Sequence, residues 1–523
     1  MSVKPEGMPK GVFTRLVFVL LFCAASAVSI FFSVFLLLSA NSAIAYVIAI
    51  SFTFLALISS GFNIMTSYSY YRSVYYNRYL QRINAGLRPM RRMPTVAIAV
   101  PVFNEDPGMV ERNLAKLRGM NYDASKLSFY VLDDSSDAGV ARDVERISKR
   151  YGAVYMHRQN RNGFKAGALN EMLARSREEF LAIFDADEEL IDANFLLDLL
   201  PYFQDAGMSF VQTEKSYRKG SFFSDTVSLF DAIFFRLIQP SRVLNGTALY
   251  AGSCAVIRRS ALDAIGGFPE YITEDTFLGF ESDLHNFRSL HVPHVYALGK
   301  PIESFTELAK QQWRYNYGDT QFLLYFMRRA RKTKKSAMSA LSKMDYAAHG
   351  LGMNYLSSIL ILFTVVSMLI VISAAPFALG SIKQIFTPPY TILNLELLGM
   401  SAFLLSIFIP IAISKAYFNS YSKGVMMFAL NFALAFVRLK GAVAALVSEN
   451  PAKVWFKSVK AKTSGSMRGI SLFRNAGIEI GFSGLLFAIS FFSFLFYNIS
   501  GALWLFWYGV LYSTTVFFFA KYG

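Results

Sequence analysis

Three apolar runs limit what this chain can fold into. Residues 16–38 continue for 23 positions without a charge, residues 351–382 for 32, and residues 480–520 for 41. A helix crossing a bilayer needs about 17–25 such residues, whereas a soluble core needs no uninterrupted stretch of that length. Composition agrees, with 54% hydrophobic and only 17% charged residues; an average soluble domain carries about 25% charge. A soluble globular fold and a disordered chain are both excluded.

The net charge of +16 sits beside these runs. Arg72, Arg78, Arg82, Arg88, Arg91 and Arg92 form one cluster without an acid, the stretch from Arg328 to Lys343 a second, and the stretch from Lys453 to Arg474 a third. Basic loops flanking membrane helices mark the cytoplasmic side. That account is preferred to a nucleic-acid surface, and no nucleic-acid partner is expected. Cys23 and Cys254 are too few for a disulfide framework, and Cys23 reads as a packing or lipid-facing residue. His285, His291 and His294 fit no common zinc spacing.

Lys4, Lys10 and Arg15 resemble the start of a signal peptide, but the following run exceeds the usual 7–15 apolar residues. The expected layout is instead a hairpin of two membrane helices, 16–38 and 43–66, broken at Asn41. Further spans are expected at 353–377 and 395–414, and the last run splits at 498–501 into two. The segment 425–447 is ambiguous. Arg438 and Lys440 inside it make a crossing costly, so an interfacial or re-entrant helix is expected. The resulting domains are 1–67 (two spans), 68–93 (basic interfacial linker), 94–345 (soluble block), 346–424 (two spans), 425–475 (interfacial helix and basic loop) and 476–523 (two spans). This gives six crossings of the plasma (inner) membrane, with both termini and the central block cytoplasmic.

In the central block, residues 96–100, 127–132 and 180–184 read as short buried strands. Helical patterns at 107–120, 138–151 and 166–176 separate them. That alternation predicts a mostly parallel α/β sheet covered by helices. In such sheets ligands bind beyond the carboxyl ends of the strands, and several clusters fall there. Asp133-Asp134 ends a strand and suits a ribose hydroxyl or base edge, or else caps the next helix. Asp185 and Asp187 can converge on a hard cation, Mg²⁺ or Mn²⁺, which would bridge a diphosphate leaving group. Lys165 opens a helix, where anions are favoured, although an ordinary loop–helix junction explains it as well. Glu274-Asp275 supplies either a helix cap or a general base toward an acceptor hydroxyl. Gln311-Gln312-Trp313-Arg314-Tyr315 combines a planar guanidinium suited to diphosphate with rings suited to sugar faces, or is a surface helix.

Taken in order and spacing, these strings resemble the processive family 2 membrane glycosyltransferases, the group of cellulose, chitin and hyaluronan synthases. The resemblance covers about residues 94–325, from Val100-Pro101-Val102-Phe103-Asn104-Glu105 through Asp133-Asp134, Lys165-Ala166-Gly167-Ala168-Leu169-Asn170, Asp185-x-Asp187 and Thr273-Glu274-Asp275 to the Gln311 motif. It implies a GT-A (Rossmann-like) cytoplasmic domain between transmembrane helices. Val102, Glu105, Asp133, Asp134, Lys165, Asp185, Gln311, Gln312 and Arg314 would bind a nucleotide diphosphate sugar, a UDP-sugar ahead of a GDP-sugar. Asp185 and Asp187 would hold the metal, and Asp275 would be the catalytic base.

Gly252, Ser253, Glu274 and Tyr315 would meet the acceptor, a growing polysaccharide or a lipid. Two departures stand out: Leu249-Tyr250-Ala251 differs from the family's acceptor loop, and Tyr315 replaces its tryptophan. Residues 455–460 resemble the family's gating loop through Ser458 and Lys460. The implied activity is a metal-dependent inverting hexosyltransferase that polymerises a β-linked polysaccharide and moves it outward. A non-processive lipid-glycosylating enzyme and a carrier with a regulatory domain are the alternatives; the absence of an internal repeat disfavours the carrier. Membrane lipids and a second copy of the chain remain open as partners.

Overall fold

The computed structural model describes residues 43–88, 90–332, 338–373, 418–448, 470–496 and 499–523, with isolated positions before 43 and from 411 to 415. Helix α1, Ala43–Gly86, contains the expected second span and continues without a break past Arg72, Arg78 and Arg82. Its 44 residues rise about 66 Å at 1.5 Å each. The expected linker is therefore helix as far as Gly86, and it docks on the soluble block. The buried Tyr76 hydroxyl donates to the His291 carbonyl, Arg72 to the Leu244 carbonyl at 2.8 Å, and Tyr202 to Asn84 Oδ1 at 2.7 Å.

The soluble block is built on a seven-stranded sheet of order β3-β2-β1-β4-β8-β6-β9. The strands are β1 Val96–Val102, β2 Leu127–Asp133, β3 Val154–His157, β4 Phe180–Ile183, β6 Met208–Thr213, β8 Ala255–Arg258 and β9 Arg288–Val292. A small sheet joins β5 Glu189–Leu190, β10 Ala297–Gly299 and β7 Ser216–Tyr217. The first four strands of the large sheet run parallel, and both faces are covered, which explains their near-continuous apolar sequences. On β1, Val96, Ile98, Val100 and Val102 pack into one core with α2 (Pro107–Leu117) and α3 (Ala138–Arg150), while Ala97 and Ala99 face α4 (Phe164–Arg175). Period-two alternation sorts the two faces.

Strand β8 is antiparallel to β4 and to β6. Its start therefore lies beside the carboxyl end of β4, and so does the end of β6. Residues 252–253 and 214–215 reach the same edge as Asp133 and Asp185 through that reversal.

Helix α5, Glu274–Leu284, follows, and then α6, Phe305–Lys332, which joins the sheet domain to the apolar helices. These are α7 Ala340–Ser373, α8 Tyr421–Ala433, α9 Ala435–Val447, α10 Ile470–Leu495 and α11 Ile499–Tyr522. Residues 476–495 and 501–522 are long and apolar enough to cross a membrane. They expose Phe491, Phe492, Phe494, Phe506 and Trp507, a contiguous apolar surface suited to lipid. The ambiguous segment is two helices, α8 and α9, bent by 44°. Arg438 within it is fully buried, donating to Gln312 Oε1 at 2.9 Å and Asn431 Oδ1 at 3.0 Å. The expected span at 395–414 lies almost wholly outside the described residues.

Candidate active site

The carboxyl edge of the sheet gathers the chemistry. Asp137, not Asp133 or Asp134, caps α3, accepting from the Gly139 and Val140 amides at 2.7 and 3.1 Å. That leaves the strand-end pair for other work. Asp133 is fully buried; it accepts from the Ser135 amide at 2.9 Å and the Tyr155 hydroxyl at 2.6 Å, with His157 Nδ1 at 3.3 Å. Asp134 is clamped by both arms of Arg158, at 2.7 and 2.6 Å. It orders the loop before α4 rather than offering a free carboxylate, because Arg158 also donates to the carbonyls of Asn162 and Phe164. Arg161 stacks over the exposed Phe103 ring at 3.4 Å. The Val102 carbonyl accepts from the Asp134 amide at 3.0 Å, locking the first two strand ends together.

Asp185 follows β4 and is held by two cations. Lys165 Nζ lies 2.5 Å from Oδ1 and also donates to the Gly252 carbonyl at 2.9 Å; Lys215 Nζ lies 3.5 Å from Oδ2 and 3.4 Å from Glu188 Oε1. Burial would raise the Asp185 carboxyl, but Lys165 and Lys215 outweigh it and hold it well below the usual carboxylate range. Both ammonium groups remain charged despite burial, because the same carboxylates face them. Glu188 completes the knot, accepting from the Asp185 amide at 2.9 Å and from Ser253 Oγ at 2.7 Å. The turn is braced by Asn113, which donates to the Asp185 and Glu188 carbonyls at 2.9 and 2.5 Å.

Asp187 has no ion pair or hydrogen bond from its side chain among the described residues. Burial, then the charges of Asp185 and Glu188, push its carboxyl up to about 7. Half-buried Glu105 is raised as well, by burial and by Asp185. A site with surplus carboxylates of this kind suits a divalent cation, with Asp187 and Asp185 as the donors. No group of three metal-ligating side chains is assembled among the described residues; the remaining positions on an ion would come from the diphosphate and water.

Across from Asp185 stands the start of α5. Gly252 adopts φ +84, a conformation that side-chain-bearing residues resist. A Cβ built there would lie 3.6 Å from Asp275 Oδ2, 3.8 Å from Lys165 Nζ and 4.0 Å from Glu274 Oε1. Asp275, Glu274, Lys165 and the 252–253 turn thus line one space. Burial and the neighbouring Asp275 charge raise Glu274 to about 7, and burial raises Asp275 too.

Helix α6 closes the space. Gln311, Tyr315 and Asp319 recur every four residues and are all half-buried. Arg314 is exposed, with its guanidinium 5.5 Å from the Tyr315 ring centre. Burial lifts the Tyr315 hydroxyl to about 12. Gln312 does not face this space: its side chain is turned to Arg438, so the expected nucleotide contact is replaced by a bond that ties α6 to α9. Trp313 is likewise core, stacked on Tyr317 at 5.2 Å. Ser458 and Lys460 lie outside the described residues.

Sequence reasoning missed Lys215, Glu188, Arg158 and Asp319. Lys215 had a readable signal, a Glu-Lys pair directly after the β-rich run 208–213, but that run was not among the expected strands.

Residues 94–318 match the family model described as Glycosyltransferase like family 2. The chain is 29% identical over 235 residues to the cellulose synthase catalytic subunit [UDP-forming] of Pseudomonas fluorescens, covering 44% of this chain and 31% of that protein. It is 28% identical over 266 residues to glucomannan 4-beta-mannosyltransferase 1 of Cyamopsis tetragonoloba, covering 46% and 48%. The chain thus spans less than half the length of these relatives. Among solved structures it is similar to the mannosyltransferase PcManGT from Pyrobaculum calidifontis in complex with GDP-Man and Mn²⁺, with 17% identity, a TM-score of 0.49, and 75% of this chain and 99% of that one covered.

Proposed function

With residues 94–318 identified as a domain of the glycosyltransferase family 2 type on a GT-A-like sheet, we propose that this chain is a membrane-embedded inverting hexosyltransferase that extends a β-linked polysaccharide. The observation that carries the reading is the shared space at Gly252, where Asp275 and Glu274 face the Lys165–Asp185 pair. A donor on the Asp133–Asp185 side and an acceptor on the Asp275 side would meet there. The acceptor hydroxyl oxygen attacks the anomeric carbon while Asp275 takes its proton. The bond from that carbon to the diphosphate breaks, the nucleotide diphosphate leaves, and the centre inverts in a single displacement. Arg314 would meet the diphosphate oxygens, for which its fork is suited.

A Mg²⁺ or Mn²⁺ ion held by Asp187 and Asp185 would neutralise charge developing on the leaving group. The lysines keep Asp185 ionised for that purpose, and Asp187, raised to about 7, is the carboxylate with most to gain. A UDP-hexose is the favoured donor, in line with the UDP-forming relative. The apolar helices would anchor the domain on the cytoplasmic face of the plasma membrane and enclose a polar path for the product.

The test is a panel of labelled UDP- and GDP-hexoses given to the full chain in lipid nanodiscs. Nucleotide diphosphate release from one of them, lost in Asp275→Asn, is expected. No release from any donor would refute the reading.

A further inference from the structure

We propose that Asp319 is an acceptor-binding residue, one that meets the hydroxyls of a neutral β-linked hexose beside Asp275. The inference rests on the transferase reading above and names a residue that reading does not need. Three observations carry it. Gly318 abuts the turn before α5 so closely that a Cβ there would fall 2.3 Å from Thr273 Cγ2 and 2.4 Å from its Oγ1. The backbone of α6 is thereby pressed against Thr273-Glu274-Asp275, and the next residue, Asp319, is delivered to that crease. Asp319 also continues the half-buried stripe of Gln311 and Tyr315, one turn beyond the ring expected to meet the acceptor. Thirdly, its carboxyl has neither an ion pair nor a hydrogen bond among the described residues. Thr273, 7% exposed, is closed off by that packing against Gly318. A half-buried carboxyl without a partner beside Asp275 calls for a ligand that supplies hydrogen bonds, since leaving them unmade is costly.

The class of ligand follows from charge. Burial and the Asp275 carboxylate both push Asp319 well above the ordinary carboxylate value, toward its protonated form. A protonated carboxyl has one donor and one strong acceptor. That pair matches the hydroxyls of an uncharged sugar and does not match an ammonium group, which would seek a carboxylate.

Asp319→Asn preserves a donor and an acceptor, whereas Asp319→Leu removes both. With the full chain in nanodiscs and gluco- or manno-tetraose as acceptor, Asp319→Leu is expected to raise the acceptor KM about tenfold, the equivalent of one or two lost hydrogen bonds. Donor KM and donor hydrolysis should stay unchanged, which also reports that the variant is folded. Asp319→Asn should remain within about threefold of wild type. An unchanged acceptor KM in Asp319→Leu would overturn the proposal. Equal losses in Asn and Leu would overturn it too, since the charge would then be what matters. If no donor is turned over, the transferase reading fails separately, and Asp319 is judged by calorimetric titration with the same β-linked tetrasaccharides. About tenfold weaker binding in Asp319→Leu sustains it; equal binding, or none by the wild type, overturns it.

Discussion

Asp275 is the residue on which the proposed mechanism turns. Asp275→Asn keeps the side-chain shape and removes the proton's destination, so transfer should fall about 10²–10⁴-fold while donor binding stays near wild type. Nucleotide release assayed beside nucleotide affinity checks this, and a near-normal rate would remove Asp275 from the chemistry. The pH dependence follows from its surroundings. Asp275 must be ionised to act, and burial raises its carboxyl, while burial and the Asp275 charge raise the neighbouring Glu274 to about 7. Activity should therefore rise with pH through a range above the pH near 4 at which an ordinary carboxylate titrates. Glu274→Gln removes one of the like charges, so the acid limb of the pH–rate profile should move to lower pH. A limb that stays put would mean that the two carboxyls do not share a proton.

Asp187 allows a different check. Chelation with EDTA and Asp187→Ala should each abolish metal-dependent nucleotide binding, and full binding in EDTA would exclude a divalent ion there. That Asp133, Asp185 and Asp275 would gather at one edge of the sheet was visible in the sequence, because they end or follow strands or open a helix. Their partners were not. Arg158 and Glu188 become relevant only when loops fold back on their own strand ends, and no spacing rule encodes that.

At the level of elements, α6 is the component that both closes the site and meets the membrane helices. Its approach to α5 depends on Gly318. Gly318→Ala should cost about 1–3 kcal/mol of overpacking and, by moving Tyr315 away from Asp275, reduce elongation more than donor hydrolysis. Thr273→Ala in the same chain should restore part of the stability, and thermal melts of the single and double variants measure the coupling. Purely additive effects would show that the two surfaces do not touch. The strands 96–102, 127–133 and 180–183 were legible because sheets buried on both faces need continuous apolar runs. Strands β6, β8 and β9 were not, since their identity depends on an antiparallel reversal between distant segments. The same holds for Gln312: its position in the motif points to the donor, yet its side chain meets Arg438, a partner 126 residues away that only tertiary packing supplies.

For the whole molecule, the proposed function has the sheet domain read the donor and the apolar helices give it a surface in lipid. α1 couples the two through a single rigid rod, and α6 and α9 through the buried Arg438–Gln312 bond. The apolar runs made helices long enough to cross a membrane visible at once, as at 476–495 and 501–522, since no soluble packing arrangement consumes 41 uncharged residues in series. Polymer growth is the claim that joins these parts. It is tested most directly by supplying the full chain in nanodiscs with a radiolabelled UDP-hexose and sizing the product after digestion of the protein. The account predicts a β-linked polymer of many sugars, absent in Asp275→Asn. A product that stops at one sugar on a lipid, or turnover that persists in the variant, would contradict it.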